Sequence, residues 1–138
     1  HSKIGFDLYL YTNKKEFIMN EYIGTLFQSR NQSHIYHLQT TSYAKHIALN
    51  GYYDGIIGLV DSIVESYQGK YDILKGYKMV GSLKDLENEE DIIKYFEQLA
   101  RYCELKREKL PQDGFLNNLY DSVDELIRST IYKLKRLN

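Results

Sequence analysis

The chain has no tryptophan, a single cysteine, a single proline and almost no net charge, and each scarcity excludes something. With Cys103 alone, no internal disulfide forms, and the composition fits a reducing, cytoplasmic compartment. With Pro111 alone, nothing interrupts long helices over the first 110 residues. A formal charge of −1 gives no general attraction to nucleic acid or acidic lipid. No apolar run approaches the roughly 20 residues of a membrane helix, and no secretory signal is read. What is abundant is tyrosine, with 14 copies. Tyrosine suits half-buried helix surfaces, where the ring packs and the hydroxyl stays wet.

The 138 residues suffice for one domain with a real core. Apolar spacing predicts four helices. The first runs from about Asn13 to Leu38, with Asn13 and Glu16 in capping-box spacing. The second runs from about Thr41 to Gln68, capped by Thr40, Thr41 or Ser42 and stopped by Gly69. The third covers about Glu89 to Lys109 behind Asn88, with Cys103 on its apolar stripe as a small core filler. The fourth begins at or just after Pro111 and reaches about Leu137. The connection from Lys70 to Glu87 is the only long one, and Ser82 to Asp85 is spaced to start a short helix within it. These elements predict an all-α four-helix bundle with a long crossover between helices 2 and 3.

Two imidazoles and two carboxylates carry the chemistry: His37, His46, Asp61 and Glu65. His1 is left out of the ligand reasoning. His37 ends the first helix and His46 begins the second, so a helical hairpin sets them side by side. Asp61 follows His46 by fifteen residues, about 22 Å along one helix. Metal–ligand bonds of about 2.0–2.2 Å cannot bridge that within one chain. Two antiparallel copies of the helix, related by a two-fold axis near Tyr53–Asp54, would lay His46 of one beside Asp61 and Glu65 of the other. Asn50, Tyr53, Ile57, Asp61 and Val64 fall within about 60° of His46 around that helix, and Tyr53 and Ile57 are expected at the middle of the dimer contact. Ala44, Ala48, Gly51, Gly55 and Ser62, with Gly58 nearby, lie opposite. Each helix-interior glycine costs about 1 kcal/mol. Close approach to a neighbouring helix would explain that, so this small face is expected inside the bundle. Imidazole nitrogen and carboxylate oxygen suit Fe(II), and also Zn, Co or Mn.

His34-Ile35-Tyr36-His37 at a helix end, then Tyr43, His46, and Asp61 and Glu65 at the same spacings, resembles the Dps family of the ferritin-like superfamily. The likeness extends over the connection from Ser66 to Glu87 and over the last helix, from Asp113 to Asp121 and from Tyr132 to Leu137. The resemblance implies a ferritin-like bundle that assembles as a homo-oligomer, usually a twelve-subunit shell. It implies Fe(II) oxidation by peroxide or dioxygen between two-fold-related subunits, and storage of the ferric product. Carried over, His37 and His46 would be ligands of one subunit and Asp61 and Glu65 of its partner. The chain departs from the pattern at Leu38 (Trp in the family), Asn50 (acidic) and Ser66 (Arg), and its loop from His37 to His46 is three residues shorter. It lacks a Lys-rich N-terminal arm, which argues against DNA binding of the usual kind. It also lacks any Glu-x-x-His, which excludes the usual di-iron site within one ferritin bundle. The alternative expectation is a non-enzymatic ferritin-like oligomer, such as a phage or mobile-element protein, with a relic metal site.

Overall fold

The computed structural model describes the backbone of residues 3–138 and the side chains of residues 14–138. Four α-helices form: α1 Lys3–Gln39, α2 Tyr43–Lys70, α3 Glu90–Lys106 and α4 Gly114–Arg136, with a 3-10 turn at Arg107–Lys109. There is no strand among the described residues. The helices pack as a ring in the order α1, α2, α4, α3. No described helix is long and apolar enough to cross a membrane.

The expected helices are present, with shifted ends. α1 passes straight through Asn13, whose side chain lies outside the described residues. Ser42 caps α2, its hydroxyl accepting from the Lys45 amide at 3.2 Å. Gly69 does not stop α2, which continues to Lys70. Glu89, not Asn88, occupies the cap position of α3. Its carboxylate is turned away from that helix. It accepts from the Thr40 hydroxyl at 2.7 Å and the Thr41 amide at 2.9 Å, and it pairs with Lys45 at 3.4 Å. These bonds satisfy donors of the turn between α1 and α2, which would otherwise have no partner there.

Burial follows apolar area. Leu49, Tyr52, Ile56, Val60, Ile63 and Tyr67 are the buried face of α2. The small face is inner only in part: Ala48 is buried and Gly55 meets Leu126, but Gly51, Gly58 and Ser62 are exposed. Apolar burial contributes about 25 cal/mol per Å². Six large side chains therefore outweigh a glycine stripe that has no area to offer. Cys103 is buried as a core filler, and burial, with Asp124 and Glu104 nearby, pushes its thiol up to about 12.

The directions of the helices follow from three sets of bonds. Glu89 sets the start of α3 beside the α1–α2 turn. Asp113, at the cap of α4, meets Lys70 and the Tyr71 hydroxyl, so α4 starts where α2 ends. The stretch from Tyr71 to Glu89 therefore returns along the bundle, and α2 and α3 run the same way. That stretch lies on α1. Gln32 of α1 holds both backbone groups of Lys84 at 2.8 Å and Leu86 donates to Gln39, while Leu74 donates back to Gln68 at the end of α2. At Gly24 the carbonyl of Lys78 comes so near that an added Cβ would sit 2.0 Å from it, so only glycine fits. The anticipated helix at Ser82–Asp85 does not form. The Gln32 amide takes the amide and carbonyl that a helical turn would need.

Candidate metal centre

The two histidines meet at the junction of α1 and α2. His37 lies in the last turn of α1, whose final carbonyls have no partner within the helix. The ring of His46, one turn into α2, fills that vacancy: its Nδ1 lies 2.8 Å from the His37 carbonyl oxygen. The reverse bond also forms, with His37 Nδ1 2.7 Å from the His46 carbonyl oxygen. A carbonyl only accepts, so both Nδ1 atoms must carry the proton. The second nitrogen of each ring, Nε2, then keeps its lone pair whenever the ring is neutral. This is the way second-shell bonds prepare imidazole for a metal.

The rings are stacked, with centroids 3.6 Å apart and planes 16° from parallel. A metal sits in the plane of the imidazole that binds it. Two nearly parallel planes this far apart do not share one ion. Each ring in this pose serves its own ion, or one ring must turn before both bind the same one. Aromatic neighbours hold the pair. Tyr53 lies edge-on to His37 at 5.3 Å and stacks on His34 at 4.3 Å, with the Arg30 guanidinium 5.3 Å from its ring centre. Tyr43 flanks His46. His37 and Tyr53 are buried, whereas His34 and His46 are half-buried.

The carboxylates are elsewhere. Asp61 and Glu65 are exposed on the same helix as His46, and neither has a hydrogen bond or ion pair among the described residues. The rise of the helix puts Asp61 about 22 Å from His46. The chain thus brings together His37 and His46 and leaves Asp61 and Glu65 apart from them. Among the described residues, no three His, Cys, Asp or Glu side chains gather to hold a metal within one chain. Asn50, which takes the place of an acidic residue in the resemblance, donates to Asp54 at 2.6 Å.

One sequence expectation changes here. Tyr53 is packed inside its own chain, so it is not available for the middle of a contact with a second copy. The exposed apolar side chains on that side of α2 are Tyr43, Ile47 and Ile57, at 78%, 51% and 37% exposure. The part of His34 in the aromatic cluster escaped the sequence reading. Its signal was the spacing of His34 and His37, three apart and so on one helix face.

No curated protein and no solved structure matches this chain. A family model does, over residues 37–134, a stretch that begins at His37 and holds all four candidate ligands. The chain belongs to that family, described as "Family of unknown function (DUF5856)".

Proposed function

We propose that this chain is a Dps-like member of the ferritin-like superfamily that binds Fe(II) between two-fold-related subunits, oxidises it and stores the product. The observation that carries the reading is the reciprocal bonding of His37 and His46, which protonates both Nδ1 atoms and keeps both Nε2 atoms as ligands. In the proposal, Asp61 and Glu65 of a second copy complete the site, and Fe(II) is the substrate rather than a resident cofactor. Zn and other divalent ions compete for the same donors. Two imidazoles, each serving its own ion, would hold two Fe(II) ions, the number that one peroxide oxidises. Two Fe(II) give one electron each, and one hydrogen peroxide takes both electrons and two protons to leave two waters. The parallel course of α2 and α3, with the long return along α1, supports the ferritin-like assignment, since that bundle needs one long crossover.

The test is anaerobic Fe(II) titration followed by addition of peroxide or dioxygen. Saturable binding is expected, then a ferric absorbance, and both should be lost in His46→Ala. Wild-type binding without His37 and His46, or no saturable binding at all, contradicts the proposal.

A second reading has its own support: a helical oligomer that binds no iron. The engagement of Asn50 with Asp54, where the resemblance has an acidic residue, favours it. The same titration separates the two.

A further inference from the structure

Away from the histidines, α1 and α3 leave a groove of about 750 Å³, closed on one side by residues 80–87 of the returning stretch. The size lies within the range of small-molecule sites. Its shape is built in. The Gln32 amide fixes Lys84, and Tyr95 donates to Gln28 across the floor at 2.6 Å. One buried polar side chain of the lining is left over. Tyr36 lines the groove and is 5% exposed, yet its hydroxyl has no hydrogen-bond partner among the described residues. It is not among the unbonded polar atoms that are sealed from solvent. The hydroxyl therefore opens onto the groove.

The chemistry of the walls narrows the ligand. Tyrosine and glutamine side chains line the groove, with Gln28 and Gln98 offering both donors and acceptors. Lys84 and Lys94 stand at the groove beside Asp85, Glu87 and Asp91. Mixed charge of this kind gives a phosphate or a carboxylate no net attraction. Apolar surface from tyrosine, Leu99 and Val80 side chains, which takes C–H groups, and amides and carboxylates, which take hydroxyls, together match a neutral ring bearing many hydroxyl groups. We propose that the groove between α1, α3 and residues 80–87 binds a neutral saccharide of about disaccharide size, with the Tyr36 hydroxyl as a direct hydrogen-bond partner.

The experiment is saturation-transfer NMR on the full chain with maltose and cellobiose, alongside adenosine and glucose 6-phosphate. Transfer to at least one disaccharide is expected at millimolar concentration. Tyr36→Phe should raise its Kd about three- to tenfold, the loss of one neutral hydrogen bond, with an unchanged melting temperature. Gln98→Leu, at an exposed position, should weaken binding independently of the core. Absence of transfer to both disaccharides overturns the proposal. So does binding that neither variant weakens, or tighter binding of adenosine or glucose 6-phosphate.

Discussion

The two ends of α2 differ in how firmly they are held. At the first end, His46 is flanked by Tyr43 and bonded to His37, which packs against buried Tyr53, and Glu89 staples the adjoining turn. At the second, Asp61 and Glu65 are exposed on the helix surface. One half of the proposed site is organised by the chain itself. The other half gains a role only when a second copy approaches. Imidazoles are preorganised cheaply, because helix-end carbonyls need donors anyway. Carboxylates that wait in water avoid the cost of burying an unpaired charge.

The sharpest way to break this contrast is Tyr53→Ala. Removing a buried aromatic side chain costs about 3–5 kcal/mol, and here it also frees the rings of His34 and His37. Chemical denaturation should report a loss of that size, and the histidine side-chain NMR signals should broaden or move.

A smaller effect is expected from Glu89→Gln, which leaves the shape of the staple and removes its charge. About a third of the Glu89 side chain is exposed, at 34%, so solvent screens the pair. Its loss should cost about 1 kcal/mol at neutral pH, the scale of one hydrogen bond. The effect should depend on pH. Burial raises the Glu89 pKa, but bonds from Thr41, Thr40 and Lys45 outweigh it and hold the carboxyl below its ordinary 4.5. A depressed folded pKa means stability that is present above the unfolded value and lost as pH falls through the folded one. Wild type and Glu89→Gln should thus differ at pH 7 and converge in acid as pH falls through the lowered pKa of Glu89. A difference that persists once the carboxyl is fully protonated would show that its charge is not what holds the turn.

The smallest effect on stability belongs to the open end. Asp61→Ala and Glu65→Ala should each change unfolding free energy by less than about 0.5 kcal/mol, as surface changes away from special features do. Both should nevertheless abolish Fe(II) oxidation. A large destabilisation would mean that these carboxylates already have structural work within one chain.

The legibility of the fold was uneven for physical reasons. α3 and α4 carry their apolar residues at clear helical spacing, and Ile92, Phe96, Leu116, Val123 and Ile127 are buried accordingly. In α2 the periodicity was there, but the glycines drew the inner face partly to the wrong side. Close approach was in fact required at Gly24, where a backbone carbonyl rather than a helix comes near. Nothing in the order of residues announces such a distant backbone contact. The Gln32 clamp was hidden for the same reason. Its partner, Lys84, lies 52 positions away. At the candidate site, adjacency of His37 and His46 was readable from the hairpin. The reciprocal bonds that set their protonation were not, because they depend on the angle at which the two helices join.

Sharing of the site between two chains is the central claim, and mixed assemblies test it most directly. His46→Ala and Asp61→Ala homodimers each carry a lesion at both sites. When the two variants co-assemble, a heterodimer has one site with both lesions and one with none. The measurement is the initial rate of Fe(II) oxidation by the co-assembled dimers. The account predicts that each variant alone is inactive and that each heterodimer recovers about half the wild-type rate. No recovery, with both variants folded and the heterodimer formed, would contradict it.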